Sequence, residues 1–267
     1  SNELNIPFIF KSHSLGVFLD GYNKERVDCE KIVMTSSNLV TTSSVFETML
    51  IGDTYKIDEN KIKKIIPGVD KKIFIPDSSI EKENIILSIG RIQKQKGQIQ
   101  TLEFLNNFKK IEKDFKCYFI GGPSGKNGKE YLNELKQSVE DLNLNSHVEF
   151  LDNLPQSEII DLFKKAKLMI HTSQFETFGL VAIEANAMGV PVLTTNNGSL
   201  MEIIENNKNG YLSESLLDGN VNNFVNNLLN DNAKYEEISS SCIEKSKKYD
   251  WAKTTNELES LYKQLVG

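Results

Sequence analysis

Cysteine is scarce in this chain. Cys29, Cys117 and Cys242 are its three cysteines in 267 residues, and their spacing forms no CxxC pair. Such a set favours neither a zinc site nor a disulfide framework, and it fits a reducing compartment. The chain also lacks any run close to the ~18 apolar residues that cross a bilayer, and its first residues lack a signal-peptide pattern. We therefore expect a cytoplasmic protein.

An excess of positive charge is also missing. Lysine and arginine number 31 against 37 aspartates and glutamates, which makes the net charge −6. Nucleic-acid-binding proteins usually carry a basic face, so we expect no nucleic-acid partner. No DxD pair occurs, and the glycine-rich stretch at 120–129 contains neither GxGxxG nor a P-loop. These absences argue against the simplest carboxylate site for a divalent ion, and against a nucleotide kinase or an ATPase.

Short apolar runs alternate with helical patterns along the chain. The runs are rich in Ile, Val and Phe, and we interpret them as buried strands at 5–10, 30–36, 84–90, 115–121, 146–152, 166–173 and 190–196. Apolar residues spaced by three and four predict helices at 97–111, 128–142, 155–165, 179–188, 198–206, 219–230 and 250–266. Strand and helix in alternation are typical of parallel βαβ units, so the predicted fold class is α/β.

Two prolines, a glycine and a charged stretch interrupt this pattern near "IPGVDKKIFIPDSSIEKEN". We place a domain boundary there, with a first domain at 1–76, a second at 77–247 and a final helical segment at 248–267. The second domain holds about five βα units, enough for a complete doubly wound domain. The first holds about two and is expected to be incomplete.

Ligands of open α/β sheets bind beyond the carboxyl ends of the strands, so the residues that follow each strand are informative. "SIGRIQKQKG" offers Gly90, Arg91 and Lys96, and two cations in one loop suit a diphosphate, although a solvated loop explains them equally well. "TTNNGSLMEII" adds Gly198 and Glu202, but "NG" also marks an ordinary turn.

The stretch "QFETFGLVAIEANAMGVPV" carries two carboxylates eight positions apart. Glu176 lies in a loop after a strand, and Glu184 lies inside a predicted apolar helix. A carboxylate in such a place needs a partner. A cation or a backbone cap would satisfy Glu184, and so would a ligand hydroxyl, as a ribose does in dinucleotide sites.

These motifs together resemble the retaining GT-B glycosyltransferases of group 1, the GT4 type. The resemblance rests on the E-x7-E element from Glu176 to Glu184 and on "SIGRIQKQKG", "IPGVD", "IGGP", "VEFLDNLP" and "NNGSLMEII", in register over roughly residues 30–230. It implies a GT-B fold, with a complete Rossmann-like donor domain at 77–247 and part of an acceptor-side domain at 1–76. The helix at 250–266 would be the family's crossover back to the first domain.

The resemblance also implies roles for individual residues. Arg91, Lys96 and the neighbouring Gly90 would bind the donor diphosphate, and Glu184 would hydrogen-bond the ribose. Glu176 would face the donor sugar, with backbone contacts from Phe178, Gly179 and Leu180, and the base would lie near Phe150 and Leu151.

The segment "KSHSLG" is similar to the part of the family that places an active-site histidine, here His13, near the donor sugar. Its residues are most similar to those of sucrose-phosphate synthase and sucrose synthase relatives. His147 and His171 match no catalytic position, and we expect them to be structural. The sequence also departs from the family: the usual "NGVD" reads "IPGVD", and Asp152 replaces a glycine.

The predicted function is a retaining, metal-independent transfer of a sugar from a nucleotide-diphospho-sugar, with no cofactor. A UDP-sugar is the expected donor, although the residues do not name the base, and the acceptor is open between a sugar, a glycan and a lipid-linked molecule. A lipid-linked acceptor would bring the protein to the inner face of the membrane.

Two other readings remain. The first is a non-catalytic module that binds a nucleotide sugar or a partner, and the missing acceptor region, or another chain, would then complete the enzyme. The second is a glycosidase with paired carboxylates, which leaves the diphosphate loop unexplained.

Overall fold

The computed structural model describes residues 6–12, 15–18 and 23–267. Its α/β architecture contains two parallel sheets. The first sheet and its helices comprise β1 Ile9–Lys11, α1 Lys24–Ser36, β2 Leu39–Thr42, α2 Val45–Leu50 and β3 Ile62–Lys64. The strand order is β1-β2-β3, and all pairs are parallel.

One predicted strand in this region is wrong. The run at 30–36 lies in α1, which begins where the Asn23 side chain accepts a hydrogen bond from the backbone N–H of Arg26. Val27 and Met34, seven positions apart, face the core on one side of the helix. A short apolar run looks the same in a buried strand and in a helix, so its periodicity alone could not decide.

The second sheet has six strands, each connected to the next through at least one helix or turn. Its elements are β4 Glu83–Ile89, α3 Gln98–Phe108, β5 Lys116–Ile120, α4 Gly128–Asp141, β6 Val148–Leu151, α5 Gln156–Lys165, β7 Ala166–His171, α6 Leu180–Ala187, β8 Val192–Thr195, α7 Leu200–Ile203, β9 Gly210–Ser213, α8 Gly219–Asn230, α9 Asn232–Ser246 and α10 Trp251–Val266. The spatial order is β6-β5-β4-β7-β8-β9, entirely parallel.

This order is that of a doubly wound sheet, because the chain starts in the middle, winds to one edge and then returns to wind to the other. The winding reverses between β4 and β7, which are hydrogen-bonded neighbours. Loops that leave adjacent strands in opposite directions open a crevice at this switch point. The fold therefore dictates where a ligand fits.

Apolar clusters cover both faces of the second sheet. Phe104, Phe119 and Leu228 belong to the cluster on one face, and Phe163 and Ile183 belong to the cluster on the other. Both faces of a parallel sheet are covered by its crossover helices, which explains why strands such as β7 are buried along their whole length.

Most predicted helices of the second sheet are present at nearly the predicted ends, but α7 is much shorter than the predicted 198–206. It stops at Ile203 because the Asn209 side-chain oxygen accepts the backbone N–H of Glu205 at 2.8 Å, outside the helical pattern.

Two elements of the second sheet, β9 and α9, were not predicted from the sequence. In α9, Tyr235, Ile238 and Cys242 have helical spacing and are buried, but the serines between them obscure the pattern.

The last helix, α10, lies against the segment that follows the first sheet. The Thr254 hydroxyl donates to the backbone carbonyl of Ile66 at 2.7 Å, and Lys71 pairs with Asp250 at 2.9 Å. A side chain at Gly68 would lie 2.2 Å from the backbone nitrogen of Trp251, so only glycine allows this approach. Across the described ranges, no helix combines the length and the apolar character that a membrane span requires.

Candidate functional site

The crevice at the switch point is a cleft of about 500 Å³. The loop after β4 contributes Gly90, Arg91 and Lys96 to its lining, and the loop after β7 together with α6 contributes Glu176 and Glu184. These five predicted site residues are therefore brought together. They come from segments about 80 residues apart, and the adjacency of β4 and β7 makes them neighbours.

Glu176 carries the densest polar contacts of the cleft. Its Oε2 atom accepts a hydrogen bond from Lys96 Nζ at 2.9 Å and lies 3.1 Å from His171 Nε2. A carboxylate oxygen can only accept when ionised, so His171 carries its proton on Nε2. His171 is the last residue of β7 and is 5% exposed. We expected His171 to be structural, and sequence reasoning missed this contact.

Burial raises the pKa of Glu176, but the hydrogen bond and charge of His171, followed by the charge and hydrogen bond of Lys96, outweigh it and lower the pKa to about 2. The carboxylate is therefore ionised at neutral pH. A fixed and largely buried negative charge at the wall of a cleft suits recognition of ligand hydroxyls.

The backbone of Glu176 is held by the loop after β8. The Glu176 carbonyl accepts from both the backbone N–H and the hydroxyl of Ser199, each at 3.0 Å. Gly198 has φ +62°, and a side chain there would lie 2.5 Å from that same carbonyl oxygen. The "NGS" motif therefore positions the backbone of Glu176. The sequence alone could not distinguish this role from that of an ordinary turn.

Lys96 is positioned by a contact between the loops after β4 and β7. The Thr172 hydroxyl lies within 3.0 Å of the Lys96 and Gly97 carbonyls, and Gln174 N–H donates to the Gln95 carbonyl at 2.8 Å. At Gly97, a side chain would lie 2.2 Å from the Thr172 carbonyl oxygen. The two loops therefore form one unit, and Lys96 reaches Glu176 because of it.

Arg91 is exposed, and its guanidinium has no hydrogen-bond or ion-pair partner in the described part of the chain. The Gln98 side chain fixes its backbone by donating to the Arg91 carbonyl at 2.9 Å. A side chain at Gly90 would meet no atom within 4 Å, so the space beside this backbone is open to the cleft. An unpaired, permanently charged fork beside open backbone is suited to an anionic ligand.

Glu184 lies on the cleft side of α6, where it is partly exposed. Burial raises the pKa of its carboxyl, and no described residue hydrogen-bonds or ion-pairs with it. The two protein partners considered from sequence, a cation and a backbone cap, are therefore not found among the described residues. A carboxylate without a partner at the wall of a cleft is suited to bind a ligand hydroxyl.

Phe178, Gly179 and Leu180 form the entry into α6. Gly179 has φ +92°, and a side chain there would lie 2.6 Å from Leu200, so glycine is required at this turn. Phe178 is buried against Tyr249, and Leu180 is exposed at the cleft. The backbone N–H groups of Leu180 and Val181 have no acceptor among the described residues, as expected for the first turn of a helix.

One predicted site residue among those that the structure describes is not brought into this cleft. Leu151 lies at the end of β6, two strands from β4, and its carbonyl accepts from Gly121 N–H at 3.2 Å. Its predicted place near the base stays a prediction. His13 lies outside the described residues.

The first sheet supplies the opposite wall. Lys11 and Ser43 line the cleft, and Lys11 Nζ lies 3.5 Å from the Ser43 hydroxyl. Burial lowers the pKa of Lys11, while the charge of Glu47 opposes this. Lys11 is the first residue of "KSHSLG", from which the sequence suggested a role for His13 alone, and its place in the cleft lining is evident only in the folded chain.

Glu202 joins the two sheets and does not enter the cleft. Its carboxylate accepts the backbone N–H groups of Val45 and Phe46, at 3.0 and 2.8 Å, in the first turn of α2. Among the described residues, no group of three or more His, Cys, Asp or Glu side chains is arranged to hold a metal ion.

A model of the family described as glycosyl transferases group 1 matches residues 70–249. The chain belongs to this family. The match confirms the resemblance in the sequence motifs and covers the whole second sheet.

Among curated relatives of this chain, a D-inositol 3-phosphate glycosyltransferase of Corynebacterium glutamicum is 24% identical over an alignment of 285 residues, which covers 98% of this chain and 68% of the relative. Others of that name are covered over 66%, 65% and 64% of their length. The chain thus spans about two thirds of the length of these relatives.

Solved structures share its GT-B fold. Sucrose-phosphate synthase of Thermosynechococcus elongatus aligns with a TM-score of 0.83 and 24% identity, over 97% of this chain and 67% of that chain. HepE of Anabaena, crystallised with UDP-glucose, aligns with a TM-score of 0.85 and 20% identity, over 97% and 72%. At these identities, the similarity establishes the fold alone, and it confirms the predicted GT-B architecture.

Proposed function

We propose that this chain is the donor-binding part of a retaining glycosyltransferase, which moves a sugar from a nucleotide-diphospho-sugar to an acceptor without a metal ion. One observation carries the proposal: Arg91, Lys96, Glu176 and Glu184 line a single cleft at the switch point. Cations suit the diphosphate, and carboxylates suit the hydroxyls of the ribose and of the sugar.

The diphosphate fits the cationic loop and the start of α6. Arg91 is free to chelate two phosphate oxygens, and Lys96 has further N–H donors besides the one directed at Glu176. The free N–H groups of Leu180 and Val181 add the positive end of a helix dipole. These fixed donors are suited to neutralise the negative charge that grows on the leaving diphosphate as its bond to the sugar breaks.

The two carboxylates are proposed to bind the two uncharged hydroxyl-bearing parts of the donor, the ribose and the transferred sugar. Glu184 is proposed to accept hydrogen bonds from ribose hydroxyls, since no described side chain satisfies it. Glu176 is proposed to contact the donor sugar, where a negative charge also stabilises the positive charge that develops at the anomeric carbon. His13 is proposed to act near the same sugar, on the strength of the family resemblance.

Metal independence is supported by the absence of a DxD pair in the sequence and by the cations available for the diphosphate. Retention of the anomeric configuration is proposed from the family resemblance. Sugar transfer by the full-length protein should survive excess EDTA, and NMR of the product should reveal the donor's anomeric configuration. Loss of turnover with EDTA, restored by added Mg²⁺ or Mn²⁺, would contradict the first part.

A UDP-sugar is the proposed donor, supported by the binding of UDP-glucose to HepE, which shares the fold. The acceptor stays open between a sugar, a glycan and a lipid-linked molecule. A cytoplasmic location, where nucleotide sugars would be available to the cleft, is proposed with it.

Calorimetric titration tests the donor site directly. The chain is titrated with UDP, GDP and ADP and with their glucose conjugates, and the titrations are repeated on Arg91→Ala and Glu184→Ala. We expect one base to bind selectively, with each variant weakening binding by about tenfold or more, as for loss of a charged hydrogen bond. Lys136→Ala and Glu140→Ala, exposed changes on α4, are the matched controls and should bind as the parent does.

Binding by none of the nucleotides would overturn the proposal and favour the alternative of a partner-binding module. Binding that is unaffected by both cleft variants would place the donor elsewhere on the chain.

A further inference from the structure

The two oxygens of the Glu176 carboxylate are not equivalent. Oε2 accepts hydrogen bonds from Lys96 at 2.9 Å and from His171 at 3.1 Å. Oε1 has no hydrogen-bond partner among the described residues, although Glu176 lines the cleft. One oxygen is therefore committed to the protein and the other is available to a ligand.

The two donors differ in rigidity. Lys96 has a long, flexible side chain with three N–H donors, and in the proposed function it also serves the diphosphate. His171 ends a fully buried strand, paired in parallel register with Thr194 of β8, and its ring is 5% exposed. When a diphosphate attracts Lys96, the imidazole remains as the fixed donor to Oε2.

We propose that His171 is a positioning residue, which holds Oε2 of Glu176 so that Oε1 faces the donor sugar. This inference rests on the proposed function, because it assigns the sugar to Glu176. The imidazole acts through the carboxylate and does not itself touch the donor.

The electrostatics agree with this geometry. A hydrogen bond to the ionised carboxylate favours that form, and His171 supplies the strongest of the interactions that lower the pKa of Glu176 against the effect of burial. Without His171, the buried carboxylate would depend on Lys96 alone, and it would lose that support whenever Lys96 turned to the phosphates.

Two substitutions separate positioning from mere packing. His171→Leu keeps an apolar side chain of comparable bulk and removes the donor, and His171→Gln keeps an N–H donor near the place of Nε2. His147→Leu is the matched control: His147 is a part-buried histidine that stacks on Phe115 with ring centroids 4.5 Å apart, and its Nδ1 lies 3.2 Å from a backbone carbonyl.

The first readout is the affinity for the preferred nucleotide sugar relative to that for its nucleoside diphosphate, measured by calorimetry. In His171→Leu we expect the sugar-dependent part of the affinity to fall about tenfold, the size of a lost charge-assisted hydrogen bond, while the nucleoside diphosphate binds as before. His171→Gln should recover most of the loss, and His147→Leu should leave both affinities unchanged.

The second readout needs no ligand. The side-chain ¹³C signal of Glu176 is followed against pH by NMR, with its assignment taken from Glu176→Gln. In His171→Leu the pKa of Glu176 should rise from about 2 toward its ordinary value, and in His171→Gln it should stay low. Should His171→Leu fail to fold, as judged by thermal unfolding, the comparison is made between the parent and His171→Asn, whose shorter side chain withdraws the donor.

The outcomes distinguish the two proposals. If the parent binds no nucleotide, the proposed donor site fails, whatever His171 does. If the parent binds and the donor-deficient variant keeps both the sugar discrimination and the low pKa of Glu176, the positioning role of His171 is overturned.

Discussion

The Ser44 hydroxyl donates to the backbone carbonyl of Thr177 at 2.7 Å, across 133 residues of sequence. Ser44 begins α2 beside the first sheet, and Thr177 follows Glu176 in the cleft. The first sheet is thus connected directly to the backbone that carries the candidate sugar-binding carboxylate. A second connection lies nearby. The Glu202 carboxylate adds two hydrogen bonds to this junction by accepting backbone N–H groups in the first turn of α2.

This junction should contribute measurably to stability. Glu202→Ala removes a carboxylate that accepts two N–H groups at the start of α2, and loss of such a cap costs about 1 kcal/mol of unfolding free energy. Urea unfolding measures the loss. Glu202→Gln, which keeps an acceptor, should lose less, and the exposed change Glu140→Ala should lose almost nothing. Equal stability of the parent and Glu202→Ala would indicate that the cap contributes nothing in solution.

Stability should depend on pH through Glu176. Its pKa of about 2 in the folded chain lies below the ordinary 4.5, so the ionised carboxylate stabilises the fold above about pH 4.5, and this contribution disappears as the pH falls through 2. The difference in unfolding free energy between the parent and Glu176→Gln should therefore be largest near pH 7, at about 3 kcal/mol, and shrink below pH 4. Chemical denaturation across pH 3–8 tests this. A difference independent of pH would contradict the low pKa.

Glu184 should behave in the opposite way. Burial raises the pKa of its carboxyl, so ionisation of Glu184 destabilises the empty fold once the pH exceeds the ordinary value of 4.5. Glu184→Gln should therefore stabilise the free protein at pH 7, by up to about 1 kcal/mol, with no gain near pH 4. Glu140→Gln, on an exposed face of α4, is the matched control in the same unfolding experiment.

The same substitution should weaken nucleotide binding through the ribose. UDP should bind Glu184→Gln several-fold more weakly than the parent, whereas 2′,3′-dideoxy-UDP, which lacks the ribose hydroxyls, should bind both about equally. A loss of the same size for both ligands would show that Glu184 acts on some other part of the nucleotide.

Gly198 should be intolerant of a side chain. With φ +62° and a hypothetical Cβ 2.5 Å from the Glu176 carbonyl oxygen, Gly198→Ala must strain its own backbone and displace Glu176. We expect a loss of about 1–3 kcal/mol in stability and a weaker nucleotide sugar complex. Gly219→Ala, at a helix start with no atom within 4 Å of the added methyl group, is the control and should be neutral. Full nucleotide sugar affinity in Gly198→Ala would show that the loop adapts without moving Glu176.

The α/β class and most helices of the second sheet were predictable because they depend on local periodicity. α8 has the predicted bounds, and α4 and α10 differ from theirs by one residue at one end. The error at 30–36 has the same origin, since a segment with only three consecutive apolar residues is too short for its period to distinguish a strand from a helix. β9 escaped notice because only two of its four residues, Tyr211 and Leu212, are apolar, and its Gly210 is required by close contact with the Val192 carbonyl.

The candidate site was predictable in its membership and not in its contacts. Arg91, Lys96, Glu176 and Glu184 stand in recognisable motifs, and those motifs indicated the group 1 family without coordinates. By itself the sequence determined the fold class, the family and the chemical types at the cleft, because each is encoded in short segments. The tertiary structure alone decided that His171 contacts Glu176, that Ser199 holds the Glu176 backbone and that Glu202 caps a helix beside the other sheet. Such contacts join segments far apart in sequence, and a hydrogen bond depends on tenths of an ångström that are determined only when the strands pair and the helices pack.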